Sequence, residues 1–328
     1  MKKNISEREN TLKAYRHEKT EWLPLSYDAL MHIGFISGNE CGLGSADLKD
    51  IFGVHWIIKG DPTPDPNEPY MLEDICEWRD KITFPEPKKW DWDAIREAEL
   101  KEYDGNKVVT WFCEQGLFDR LTVLGGFENA LMWLITDPDE CRALFDRIAD
   151  FKIELIECVG KYIKPDVFMY TDDIAKSDGL FMSPQTYREV IKPSHARIIA
   201  AIHENGMIAE QHTCGKIDDI IDDYMEIGVE SFFPAQVVND LVGMRKKYAD
   251  KLTLVGGFNS QGLPGRIDAS DEIVKEEARR IVENYKDLGG FIVMPMIMDG
   301  TLNWSVYEPS HRQKVFHDEF YKCMGIDE

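Results

Sequence analysis

His212 and Cys214 stand two residues apart in the stretch AEQHTCGK (209–216), directly before Gly215. Side chains alternate along a strand, so Glu210, His212 and Cys214 share one face there, and Gln211 and Thr213 the other. A neutral imidazole and a thiolate on one side of a rigid strand can grip one zinc ion, at about 2.0 and 2.3 Å. The pair suits a borderline-soft metal better than magnesium or calcium. It is also compatible with a thiol used as apolar filler beside a hydrogen-bonded imidazole. Two donors do not complete a site, because a catalytic zinc takes roughly three protein ligands and an open position. The carboxylates Asp172 and Asp173 follow the apolar run VFMYT, and Glu114 follows VVTWFC. At such places acids serve as ligands, general bases or substrate clamps, or they cap local backbone.

These residues need elements to hold them. From about residue 107 the chain alternates between short apolar runs and helical periods. KVVTWFCE (107–114), DVFMYTDD (166–173), MIAEQHTC (207–214), ESFFPAQ (230–236), LTLVGGF (252–258) and GFIVMP (290–295) have the β-branched and aromatic content of strands. Ser183-Pro184 opens a helix as N-cap and first-turn proline, Pro193 predicts a kink in it, and Gly206 ends it. In IDDIIDDYMEIG the apolar residues recur at helical spacing, and the aspartates form a solvated face.

Repeated strand-to-helix alternation implies a parallel sheet. The number of units, with no glycine-rich phosphate turn, favours a (β/α)8 TIM barrel over an open doubly wound sheet. A barrel places its chemistry at the C-terminal ends of its strands. Glu114, Asp172, Asp173, His212, Cys214, Gln236, Phe258, Asn259 and Met296 all fall at such ends. Residues 1–105 hold the helical pattern ENTLKAYRHE, a strand candidate EWLPLSY and the proline-rich loop GDPTPDPNEP. They are expected to pack on the barrel as a helical and irregular extension, making residues 1–328 one domain.

Composition narrows the partners. The net charge of −22 opposes nucleic acid and anionic membranes. The seven cysteines are odd in number and scattered, which speaks for free thiols in a reducing, cytoplasmic setting. MKKNISEREN has no apolar run behind its basic residues, so no secretory leader is expected, and no stretch has the length and apolarity of a membrane helix.

The run YTDDIAKSDGLFMSPQTYREVIKP, then HENGMIAEQHTCGKIDDIIDDYMEIGVESFFPAQ, then KLTLVGGF resembles the uroporphyrinogen decarboxylase superfamily. Within it the closer likeness is to the cobalamin-dependent methyltransferases. The likeness covers roughly residues 160 to 296 well and the N-terminal part loosely. It implies a (β/α)8 barrel with its site at the strand C-termini. The decarboxylases carry an arginine- and glycine-rich N-terminal motif that EWLPLSYDALMHIG lacks, and a chain of charge −22 suits a polyanionic porphyrinogen badly.

The methyltransferase branch holds zinc with H-x-C and a later cysteine. His212 and Cys214 match the first two, but MPMIMDG has no cysteine, and Cys323 sits in the terminal helical pattern. Glu210, Asp172, Asp173 and Asp299 are the candidate replacements. A carboxylate would make the zinc more Lewis acidic and suit an oxygen leaving group. The resemblance then implies an O-demethylase-type methyltransferase that moves methyl from a small donor, an aromatic methyl ether, to cob(I)alamin on a separate corrinoid protein. Asp172, Asp173 and Glu114 are the expected catalytic groups. Tyr27, His32, Trp111, Gln236, Phe258, Asn259, Met296 and Trp304 are the expected substrate wall, some of Phe112, Phe118, Phe232, Phe233 and Phe291 adding to it. The rival readings are a decarboxylase of a smaller acid and a non-catalytic barrel that binds a tetrapyrrole or metal.

Overall fold

The computed structural model describes residues 3–59, 62–297 and 309–326. It has an α/β architecture of parallel strands alternating with helices. By contact the chain divides into two compact units: Met1–Leu30, Asp104–Val108 and Glu230–Glu328 form the first, Met31–Tyr103 and Val109–Val229 the second. Asp299 and Trp304 lie outside the described residues.

The second unit carries strands β1 (Leu30–Ile33), β2 (Val108–Cys113), β3 (Val167–Thr171) and β4 (Ile208–His212), save the first residues of β1 and β2. They are ordered β1-β2-β3-β4. β2 pairs in parallel with β3, and β3 with β4 in a register that sets Thr171 beside His212. Every residue of β3 is buried, the pattern of a strand covered on both faces. Helices α1 (Leu117–Gly125), α2 (Phe127–Thr136) and α3 (Pro138–Tyr162) connect β2 to β3. Pro138 begins α3, where its missing N–H costs nothing.

The Ser183-Pro184 start is as the sequence predicts, with Ser183 Oγ accepting the Thr186 N–H. The expected kink at Pro193 takes the form of a π-helical turn, Tyr187–Ile191, immediately before α4 (Lys192–Glu204). The wider turn meets the proline at the start of a fresh helix, where it displaces no hydrogen bond. Helix α5 (Ile221–Ile227) follows β4 and ends at Gly228 in the left-handed conformation.

The first unit has strands β5 (Ser231–Ala235), β6 (Thr253–Gly257) and β7 (Phe291–Met294), with β6 parallel to both neighbours. Helices α6 (Leu241–Lys247), α7 (Asp271–Tyr285) and α8 (His311–Met324) accompany them. Ser310 and Gln313 form a reciprocal capping box at the start of α8. EWLPLSY is not the expected strand. Leu25 makes a single parallel bridge to Val293, and Ser26–Ala29 turn into a short helix. Pro24, which lacks an N–H, still accepts from Val293 N at 2.8 Å. Among the described residues no helix is long and apolar enough to cross a membrane.

Candidate functional site

β3 and β4 end side by side, so Asp172 and Asp173 leave one strand next to the Thr213 and Cys214 that leave the other. Three donors converge there: one atom each from Asp173, His212 and Cys214 lies within 4.8 Å of the others. His212 Nε2 is 3.8 Å from Asp173 Oδ1 and 3.7 Å from Cys214 Sγ. Ligands around a tetrahedral zinc stand about 3.3–3.5 Å apart, so small side-chain movements would bring these atoms to coordinating distance. Of the described carboxylates proposed as third ligand, Asp173 is the one in the group. Asp172 turns elsewhere, and Glu210 is wholly buried and outside the group.

The protonation chemistry fits a cation. Burial depresses the His212 pKa, with the Asp173 charge pulling weakly the other way, and so favours the neutral imidazole that ligates metal. Burial first, then the charges of Asp173 and Asp119, holds the Cys214 thiol far above its ordinary pKa. A bound cation reverses that balance by displacing the thiol proton. The Asp173 side chain is 40% exposed and that of His212 13%, so the carboxylate edge faces solvent. Phe112 meets the His212 imidazole edge-on at 5.8 Å, and Phe35 stacks on Phe112 at 4.2 Å. Both rings are partly exposed, and they make an apolar wall beside the donors.

Asp172 does different work. Its carboxylate accepts the backbone N–H groups of Leu117 (3.1 Å), Phe118 (3.3 Å) and Asp119 (2.9 Å). It is therefore the anion at the N-terminus of α1, facing the positive end of the helix dipole. Burial pushes its pKa up to about 6 despite those three donors. Gly116 permits this approach, because a Cβ there would fall 2.5 Å from both Asp172 Cβ and Thr171 O. Asp119 returns the tie by accepting the Asp173 N–H at 2.8 Å. Burial, then the Asp172 and Asp173 charges, raises the Asp119 pKa well above the usual carboxylate range. Nothing in the spacing of Asp119, more than fifty residues before Asp172, signals this role.

Glu114 lies over a buried charge network that the sequence does not reveal. Lys152, 1% exposed, donates to Glu40 Oε2, to the Glu114 carbonyl at 2.6 Å and to Cys113 Sγ at 3.3 Å. Arg120, with no exposed surface, donates to Asp50 at 2.6 Å and to the Glu40 carbonyl at 3.1 Å, and lies over the Phe52 ring. Lys152 and Arg120 thus pair directly with Glu40 and Asp50, and reach the Glu114 carboxylate as weaker, through-space charges. Burial accordingly raises the Glu114 pKa to about 7, against the lowering effect of the Cys41 thiol.

The expected substrate wall divides. Trp111 has no exposed surface and packs against Trp92 at 6.1 Å, so it is a core residue and not an open wall. Phe258 is 3% exposed and edge-on to Phe316, again core. Tyr27 donates its hydroxyl proton to the Pro295 carbonyl and accepts from Gln313 at 3.2 Å, which ties together the ends of the first unit. Asn259 gives its backbone N–H to Glu277 at 2.8 Å. His32, Gln236 and Met296 are partly buried. Phe35, absent from the expected wall, stands beside the donors through Phe112 instead; its one signal in the sequence is its place just after Gly34, at the end of β1.

Behind the donors lies a buried polar layer. Tyr187 OH and His195 Nδ1 are 3.1 Å apart, and burial holds the His195 pKa down at about 3. The unfolded chain binds this proton below about pH 6.5, while the folded chain refuses it down to about 3. Stability from this group is therefore complete above pH 6.5 and falls as the pH drops from 6.5 towards 3. Between pH 7 and pH 5 the expected loss is about 2 kcal/mol. Urea unfolding at the two pH values checks this: His195→Asn should remove that share of the pH dependence, and an unchanged dependence would refute it.

The profile of uroporphyrinogen decarboxylase (URO-D) matches residues 101–296. Over 166 residues the chain is 29% identical to the methylcobamide:CoM methyltransferase MtaA of Methanosarcina barkeri, covering 49% of this chain and 45% of that one. Over 177 residues it is 27% identical to a methylated-thiol–coenzyme M methyltransferase of Methanosarcina mazei, covering 53% and 45%. The chain thus spans about half the length of the curated relatives it matches. A solved methyltransferase from Methanosarcina mazei shares the fold over 98% of this chain and 99% of that one, with a TM-score of 0.67 at 15% identity. Because the profile covers more than half of its residues, from just before β2 to just after β7, the chain belongs to the uroporphyrinogen decarboxylase (URO-D) family.

Proposed function

We propose that this protein is a corrinoid-dependent methyltransferase that moves a methyl group from a small methylated donor to the cob(I)alamin of a separate corrinoid protein. The observation that carries the reading is the convergence of Asp173, His212 and Cys214 at the ends of two adjacent parallel strands. The names of the methyltransferase relatives support the same class of reaction. The reading takes the whole chain as one (β/α)8 barrel domain acting in the cytoplasm.

Asp173, His212 and Cys214 would hold zinc, which supplies Lewis acidity towards the atom that loses methyl. A set with a single thiolate favours an oxygen leaving group, and the Phe35–Phe112 wall favours an aromatic one. The proposed donor is therefore an aromatic methyl ether. The C–O bond breaks with its electron pair left on oxygen, and the cobalt(I) pair forms the new bond to carbon. Glu114, with a pKa near 7, is the proposed proton source for the departing oxygen. Asp172 serves by fixing the start of α1 against the site. The relatives named for coenzyme M favour a second reading, in which a thiol takes part in the transfer.

Incubation of the zinc-loaded protein with cob(I)alamin and a panel of methoxyaromatics and methylated thiols separates these readings. Loss of the cob(I)alamin absorption with a methoxyaromatic supports the ether donor. Response to methylated thiols alone supports the second reading, and no response to any donor refutes both.

A further inference from the structure

Thr213 points away from the donor cluster, and three hydrogen-bond partners meet at its hydroxyl. The hydroxyl oxygen is 2.9 Å from the Asp172 carbonyl, 3.0 Å from Gln211 Nε2 and 3.0 Å from Tyr224 OH. Thr213, Gln211 and Tyr224 have no exposed surface, so no solvent shares the work. The direction of each bond follows. A carbonyl only accepts, so the single Thr213 proton goes to Asp172. Both remaining partners must then donate to Thr213: the Gln211 amide N–H and the Tyr224 O–H. One donor and two acceptors use the full capacity of a hydroxyl.

The same layer fixes the flanking backbone. The His212 carbonyl accepts from Asp172 N at 3.0 Å and from Gln211 Nε2 at 2.7 Å. Cys214 N–H donates to Asp173 Oδ1 at 2.6 Å. Gly215, at φ +95°, then turns the chain where a Cβ would strike the Lys176 carbonyl at 2.6 Å. The segment bearing His212 and Cys214 is thereby laced to the segment bearing Asp173, and the lacing meets at Thr213.

We propose that Thr213 is a positioning residue: with Tyr224 and Gln211 behind it, its hydroxyl sets the separation of Asp173 from His212 and Cys214, and so the affinity of this site for a tetrahedral cation. This rests on the metal-binding part of the proposed function. Groups that orient metal ligands typically change affinity by about 10–100-fold when lost.

The test compares zinc affinity, and the visible spectrum of the cobalt(II)-substituted protein, in the unaltered chain, Thr213→Val and Thr213→Ser. Valine keeps the shape and loses the hydroxyl; serine keeps the hydroxyl. We expect Thr213→Val to bind zinc about 10–100-fold more weakly with a shifted cobalt spectrum, and Thr213→Ser to stay close to the unaltered chain. Equal binding by Thr213→Val overturns the proposal, and so does equal weakening in both variants, because the hydroxyl is then not the cause. Failure of the unaltered chain to bind either metal overturns the metal reading itself, a separate result. Circular dichroism of the metal-free variants reports folding. If Thr213→Val does not fold, Tyr224→Phe, which removes one donor, carries the same test with the same opposing outcomes.

Discussion

Cys214→Ser is expected to bind zinc at least about a hundredfold more weakly than the unaltered chain, and to lose methyl transfer in step. A serine hydroxyl holds its proton far more tightly than a thiol and is a poor zinc ligand near neutral pH. The variant keeps Asp173 and His212, their Nε2 and Oδ1 atoms 3.8 Å apart. Two donors fall short of the roughly three that a catalytic zinc requires. The fold should survive, because Cys214 is only partly buried and its backbone N–H bond to Asp173 does not involve sulfur. Metal content after gel filtration and thermal unfolding of the metal-free protein check the two halves of this expectation. Undiminished zinc in Cys214→Ser would remove the metal site, and the methyl-transfer reading would lose its support.

Lys152→Ala should destabilise the fold by about 3–5 kcal/mol without touching the donor cluster. The ammonium is buried with Glu40, Cys113 and the Glu114 carbonyl as partners. Its removal leaves Glu40 and Asp50 sharing one guanidinium, with a net buried negative charge. Burying a charge whose partner is gone costs far more than the intact pair contributes. Alanine also leaves a cavity in a tightly packed layer beside the Phe52–Phe151 contact. A double variant, Lys152→Met with Glu40→Gln, removes both charges and should recover much of the loss. Denaturant midpoints of the three proteins decide it: a loss below about 1 kcal/mol for Lys152→Ala would show the network to be solvated.

The strands after residue 107 were legible because each is a short apolar run between turn signals, and burial on both faces leaves few other readings of such runs. The helix stop at Gly206 was legible for a related reason: the residue has a positive φ, which glycine adopts without strain. EWLPLSY misled because its apolar residues face the core from a turn, with only Leu25 joining the sheet.

The candidate site was half legible. His212 and Cys214 share one strand end, so local periodicity was enough to bring them together. Asp173 could not be chosen over Asp172 from sequence, because adjacent residues point in opposite directions. That choice depends on which carboxylate the start of α1 claims, and Gly116 lets it claim Asp172. The Lys152–Glu40–Arg120 network and the Thr213–Tyr224 contact join residues from 11 to 112 positions apart. No local pattern encodes such pairings. The amino-acid sequence by itself determined an alternating α/β chain and two side chains of a candidate metal site. Tertiary structure alone brought Asp173 beside them and set the buried groups behind all three, because only packing assigns partners to polar groups removed from water.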